Sequence, residues 1–120
     1  MNWTTLLAVG LALAIIVLLK RAGQISAAQA SEYLKAGALV VDVRSTAEFN
    51  SDHLSKAINI PLGEIESVLP RRAKDKQQVV LLHCQSGMRS AVAVKKLQAL
   101  GYANASNLGS YARAAKIVGR

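Results

Sequence analysis

The chain of 120 residues contains a single cysteine, Cys84, which excludes an intrachain disulfide framework and any metal cage built from several thiolates. Its 1 Trp, 3 Tyr and 1 Phe are too few for the stacking platforms that grip single-stranded nucleic acid. Acidic residues are scarce as well: 7 Asp and Glu stand against 15 Lys and Arg, a formal net charge of +8. With Lys20 and Arg21 set aside, 13 basic side chains remain against those 7, so the remainder of the chain is itself basic. Two prolines and no Gly/Ser-rich stretch leave no room for a low-complexity linker, and no internal repeat is visible. The length suits one domain with a short appendage and excludes two.

Apolar residues are abundant, at 52%, but unevenly placed. Leu6 to Leu19 runs fourteen residues without a polar side chain. Extended to Trp3, the stretch reaches seventeen residues, the lower limit for a membrane-spanning helix, or roughly 25 Å at 1.5 Å per residue. Trp3 suits one headgroup level, and Lys20 and Arg21 suit the other. A cleaved signal peptide is the competing reading, because Ala28-Gln29-Ala30 offers a small-residue cleavage site. Against it, no Lys or Arg precedes the apolar run, and cleavage there would remove Ile25 to Ala30 from the first helix of the domain. Residues 1–23 are therefore expected to be a membrane anchor that crosses through residues 3–19, and 24–120 a separate domain. The positive-inside rule makes it a single-pass protein of the cell (inner) membrane, with the domain facing the cytoplasm. That compartment keeps a lone thiol reduced.

From Gln24 onward the pattern alternates. Ser26 can cap a helix to about Lys35, stopped by Gly37. Ala38–Val43 reads as a buried strand, Thr46–Ser51 as one or two helical turns, and Ala57–Ile60 as a strand ended by Pro61. Leu62–Leu69 is a short amphipathic helix before Pro70, and Arg71–Gln78 is a charged turn. Val79–His83 is apolar without alternation, as a central parallel strand should be. Met88–Leu100 is a helix ended by Gly101. Ala103–Asn107 is a last strand before a helix to about Val118. The fold class is α/β, with a mainly parallel sheet flanked by helices.

The chemical signal is Leu82-His83-Cys84-Gln85-Ser86-Gly87-Met88-Arg89-Ser90. A buried strand carries Cys84 to its carboxyl end, where open α/β sheets bind ligands. Gly87 lets the backbone curl with its N–H groups inward, the following helix adds its positive dipole end, and Arg89 adds a permanent charge. All three favour the thiolate, the form in which cysteine is a nucleophile. A buried structural role is the commoner fate of a free cysteine, but the order strand, Cys, Gly loop, Arg, helix argues against it here.

Over roughly Ile25 to Val118 the chain resembles the single-domain rhodaneses, a family of sulfurtransferases. Three segments carry the resemblance: Val40-Val41-Asp42-Val43-Arg44 with Glu48-Phe49, His53-Leu54 with Ala57-Ile58-Asn59-Ile60-Pro61, and Cys84 to Ser90. The resemblance implies a five-stranded sheet and a persulfide mechanism. Cys84 would take the outer sulfur of a small anionic donor such as thiosulfate. Backbone N–H groups of Gln85, Ser86, Gly87, Met88, Arg89 and Ser90 would cradle it, with Arg89 helping to hold the donor. The acceptor would be cyanide, a thiol or a protein. No metal or organic cofactor is implied, and no nucleic acid. Fold-sharing phosphatases resemble C-x5-R, whereas Cys84 to Arg89 is C-x4-R, which suits sulfur; arsenate reduction stays open. Where the family carries two glycines this chain has Asp52 and Lys56, and where it carries Gly and then Trp this chain has Ser110 and Ala114. Those changes keep open a non-catalytic, partner-specific docking or relay module at the membrane.

Near the site, Asp42, Arg44 and Glu48 are expected to form a structural network in which Glu48 pairs with Arg44. His83 should point to the face opposite Cys84 and be packed. His53 should be a turn residue bonded to backbone. The basic run Arg71-Arg72-Ala73-Lys74-Asp75-Lys76 reads as a solvated loop, with anionic lipid headgroups its better functional option.

Overall fold

Strand and helix alternate as the punctuation predicts, and three serine caps show why. Ser26 accepts a hydrogen bond from the Gln29 amide (3.2 Å) and opens one helix, and Ser110 accepts from Arg113 (3.1 Å) and opens the last. Ser45 and Glu48 form a reciprocal capping box that opens a third. The structure, a computed structural model, describes residues 2–21 and 23–120, those from 17 to 21 by their backbone alone. Its elements are α1 (Trp3–Arg21), α2 (Ala27–Lys35), β1 (Leu39–Asp42), α3 (Thr46–Ser51), β2 (Ala57–Asn59), α4 (Ile65–Arg72), β3 (Val80–His83), α5 (Met88–Ala99), β4 (Ala105–Gly109) and α6 (Tyr111–Val118).

The four strands form one parallel sheet in the order β2-β1-β3-β4, with Val41 beside both Ile58 and Leu82. Strand parity sorts the core into two layers. Val41, Val80, Leu82 and Cys84 face one way, into a cluster with Ile65, Leu69, Val94, Leu97 and Tyr102 from the α4 and α5 side. Val40, Leu81 and Leu108 face the other way, against Ala30 of α2 and Ala114 and Val118 of α6. β3 is buried at every position, so its apolar run without alternation has its physical cause in helices on both faces.

Two expectations are corrected. The sheet has four strands, not five, among the described residues. Where a further strand would lie against β4 there is one parallel bridge, Gln24 to Asn107, with the Ile25 amide donating to the Asn107 carbonyl (3.0 Å). Ser26 begins the cap of α2 immediately afterwards, so the pairing ends there. The helix expected to stop before Pro70 instead continues to Arg72. Pro70 removes only the hydrogen bond to the Glu66 carbonyl, and Glu66 is exposed, while buried Leu69 and the Ala73 amide (2.8 Å to the Leu69 carbonyl) hold the last turn. Of the basic run, Lys76 reaches back to the Leu100 carbonyl (2.7 Å) at the end of α5.

Every side chain from Asn2 to Ile16 along α1 is exposed. Among the residues described with their side chains, no helix is long and apolar enough to cross a membrane; the expected span over Trp3 to Leu19 ends in Val17–Leu19, which lie outside them.

Leu82 is fully buried in the sheet centre. Leu82→Ala is expected to lower unfolding free energy by about 2–5 kcal/mol in urea denaturation. A loss too small to measure would show that the α4/α5 layer is not close-packed.

Candidate active site

Cys84 keeps the parity of Val80 and Leu82, so β3 aims its side chain into the α4/α5 layer at the point where α5 begins. The loop between them is pinned to the neighbouring strand. The Cys84 amide donates to the Gly109 carbonyl (3.2 Å), the Tyr111 amide to the Gln85 carbonyl (3.3 Å), and Ser86 pairs with Ser110. Gly87 turns the chain at φ 96°, where a side chain would be strained and a Cβ would lie 3.3 Å from the Gly109 backbone. This turn directs the Gly87 amide at Cys84 Sγ, 3.0 Å away. Cys84 is fully buried, whereas Gln85, Ser86 and Met88 around it are exposed.

Burial pushes the Cys84 thiol up, but hydrogen bonds outweigh it and leave the thiol below its ordinary value. The Gly87 amide meets the sulfur directly, and the Ser86 and Ser90 amides beside it also favour the anion. The Ser90 hydroxyl gives its single proton to Asn107, a residue that the sequence pattern marked only as a strand end. Ser90 Oγ lies 2.7 Å from Asn107 Oδ1 and 3.5 Å from Cys84 Sγ. Asn107 Nδ2 donates to the Gly87 carbonyl (3.1 Å), and Oδ1 also accepts the Gly109 amide (2.8 Å). One buried amide thus ties together the turn, the helix start and the adjacent strand. The signal for it was a polar side chain inside an otherwise buried strand.

The charged network differs from the expected pairing. Arg44 does not pair with Glu48. Its Nε and Nη2 donate to buried Asp42 (3.0 and 2.8 Å), and Nη2 also reaches the Asp52 carbonyl (2.7 Å). Glu48 instead accepts both ends of the Arg89 guanidinium, at 2.7 and 3.0 Å. The reason is geometric: β1 ends between Asp42 and Arg44, close enough for a forked pair, while the α3 capping box turns Glu48 toward α5. Hydrogen bonds from Arg89 and Ser45 hold the Glu48 carboxyl at about 2.

His83 is fully buried on the opposite face, edge-on to Tyr111, as parity requires. Its Nδ1 lies 3.3 Å from the Cys84 carbonyl, and its Nε2 has no hydrogen-bond partner. Burial pushes it toward the neutral form against the pull of Asp42. It is not positioned to take a proton from Cys84. His53 Nδ1 meets the Phe49 carbonyl (2.8 Å) while its ring stacks on Phe49. The two residues that replace glycines strain nothing: Asp52 sits in extended backbone at φ −167°, and no described non-glycine residue has a positive φ. Ala114 is fully buried on the inner side of α6, and the aromatic beside the site is Tyr111, with Arg44 4.6 Å above its ring. No cluster of three His, Cys, Asp or Glu side chains is assembled among the described residues.

Fold and loop together define an α/β domain that sets one cysteine, its thiol below the ordinary value, against backbone N–H donors. Known proteins make the class specific. The family described as rhodanese-like domain matches residues 26–113, and the chain belongs to it. The thiosulfate sulfurtransferase PspE of Escherichia coli is 33% identical over 69 residues, a stretch covering 58% of this chain and 66% of that protein. The adenylyltransferase and sulfurtransferase MOCS3 of Drosophila sechellia is 45% identical over 65 residues, which span 50% of this chain but 14% of that protein. Among solved structures, the human single-domain sulfurtransferase TSTD1 superposes with a TM-score of 0.67 at 28% identity, covering 78% of this chain and 96% of that one. A rhodanese with anions from E. coli superposes at 0.62 with 30% identity, covering 64% and 91%.

The hydrogen bonds to sulfur predict that Cys84 alkylates at lower pH than an ordinary thiol. Gly87→Ala strains the φ 96° turn that aims its amide at the sulfur, so the midpoint of its iodoacetamide rate against pH should move upward. An unmoved midpoint in the folded variant would mean that the amide does not hold the sulfur.

Proposed function

We propose that the protein moves sulfane sulfur from a donor to a thiophilic acceptor through a persulfide on Cys84. The observation that carries this reading is the Gly87 amide, 3.0 Å from a sulfur at the start of a helix, in a loop whose other donors also favour the anion. With thiosulfate, the Cys84 thiolate attacks the outer sulfur. A new S–S bond forms to Cys84, the old S–S bond breaks, and sulfite leaves with its electron pair. The charge stays on the outer sulfur of Cys84–S–S⁻. Gly87, Ser86 and Ser90 are the donors that would solvate it there, in place of water. In the second half-reaction cyanide takes the outer sulfur as thiocyanate, or a thiol takes it as a persulfide, and the Cys84 thiolate returns. The relatives support this reading through their names, PspE as a thiosulfate sulfurtransferase and TSTD1 as a sulfurtransferase. The MOCS3 relative is named a sulfurtransferase as well.

The N-terminal segment gives the reading its location. A nineteen-residue helix whose described side chains are all exposed, Leu6 (52%), Leu11 (64%) and Ile16 (49%) among them, would leave a large apolar surface in water. In this reading a bilayer covers such a surface, and the positive-inside rule applied to Lys20 and Arg21 favours a domain facing the cytoplasm at the cell membrane.

Intact-mass measurement of the full-length chain in detergent after incubation with thiosulfate should show the gain of one sulfur atom. Cyanide should remove that atom, and Cys84→Ser should not acquire it; loading of the serine variant would overturn the mechanism. A reporter fused after Arg120 should behave as cytoplasmic, and a periplasmic signal would reverse the orientation.

A further inference from the structure

The loop around Cys84 leans on β4, and β4 is an edge of the sheet, with a strand on one side only. The contact between loop and strand is made by two glycines, Gly87 and Gly109, at φ 96° and 94°. Neither has a side chain to wedge it in place, so surrounding groups must hold both conformations. Asn107 does so from one side: its Oδ1 accepts the Gly109 amide (2.8 Å) and its Nδ2 donates to the Gly87 carbonyl (3.1 Å). The short segment Gly23–Ser26 lies along the open side of β4. The Ile25 amide donates to the Asn107 carbonyl (3.0 Å). Arg113 fastens the same two stretches, donating through Nη2 to the Ile25 carbonyl and through Nη1 to the Leu108 carbonyl (2.6 Å). Half-buried Gln24 is thereby set with its side-chain amide against both glycines. A Cβ on Gly109 would lie 2.9 Å from Gln24 Nε2, and a Cβ on Gly87 would lie 3.5 Å from the same atom.

Resting on the sulfurtransferase reading, we infer that Gln24 is a positioning residue for Cys84: its side chain wedges the contact between Gly87 and Gly109 and so keeps the Gly87 amide on the sulfur. That amide stands 3.0 Å from Cys84 Sγ, and a hydrogen bond weakens steeply as its angle opens, so a small rotation at the glycine costs the anion a donor. Gln24 touches neither the sulfur nor any donor to it by a hydrogen bond; it acts through bulk. It carries no charge, so replacing it by another neutral residue changes the field at Cys84 little. The bonds that hold the segment belong to the Ile25 backbone and do not depend on the side chain of residue 24. Gln24 can therefore be changed while the segment stays on β4. The stretch before α2 is in this way part of the nucleophile's support and not a plain connection.

The test uses full-length protein in a nonionic detergent and follows iodoacetamide alkylation against pH, which reads Cys84 alone because the chain has one cysteine. Gln24→Ala should raise the midpoint by about 0.5–1 pH unit, part of what a hydrogen bond to a charged group contributes. Gln24→Met keeps the length and bulk without the amide and should return the midpoint to within about 0.3 unit of wild type. Ser26→Ala removes the cap of α2 two residues away; it should lower the thermal midpoint by about 4–8 °C and leave the alkylation midpoint in place. An unmoved midpoint in Gln24→Ala overturns the inference. So does a shift in Gln24→Met or Ser26→Ala as large as in Gln24→Ala, since the cause would then be the amide's polarity or general loosening. If Gln24→Ala does not fold, Gln24→Asn, one methylene shorter, replaces it with the same expected direction. Sulfur loading from thiosulfate, followed by intact mass one pH unit below the wild-type midpoint, should slow by about two- to fourfold in Gln24→Ala. That is less than the loss of thiolate, because a more basic thiolate is the better nucleophile. A wild type that does not load, beside a shifted alkylation midpoint, overturns sulfur transfer and leaves Gln24 supporting the thiolate.

Discussion

A sulfur anion without water must be met by hydrogen-bond donors that are already in place, and most of the molecule around Cys84 meets that constraint. The Gly87 amide can point at the sulfur only because the backbone there turns through φ 96°. The turn holds because Asn107 grips its carbonyl, and Asn107 is held in β4 by the register that places it beside Leu82. The register shift that follows brings Gly109 opposite His83, and its φ of 94° leaves no room for a side chain against Gln24. Strand pairing, glycine conformation and a buried amide thus converge on one atom.

The charged residues form a second layer with a different task. Asp42 and Arg44 are buried together and tie the end of β1 to the Asp52 carbonyl after α3. A buried pair of this kind is weak evidence for stability, since desolvation offsets much of its attraction, but removing one partner would strand the other. The Glu48–Arg89 pair is at the surface, where solvent screens it and where it can exchange partners. The inner pair holds the frame, and the outer pair faces whatever approaches.

Much of the fold could be read from local chemistry. Ser26, Ser45 and Ser110 fall at helix starts, Gly37 and Gly101 at helix ends, and β1 and β3 on apolar runs rich in branched residues. These signals depend on neighbours a few residues away, so sequence exposes them. Pro70 misled because its cost depends on whether the carbonyl it orphans faces water, and the sequence around it does not say so. The residue pattern marked four strands and the resemblance implied a fifth; at Gln24 pairing with β4 is a long-range matter, and a helix cap two residues later ended it at one bridge.

By itself the sequence determined the nucleophile, its place after a buried strand, the glycine turn and the helix that follows, because each follows from residue type and spacing along one stretch of chain. It also determined that His83 and Cys84 point to opposite faces, since strand parity is local. Only the tertiary structure decided which acid each arginine meets, and that Asn107 of β4 supports a serine of α5. Those partners lie on elements that sheet order and helix packing bring together, and a side chain's choice among nearby charges follows distances that no local pattern encodes.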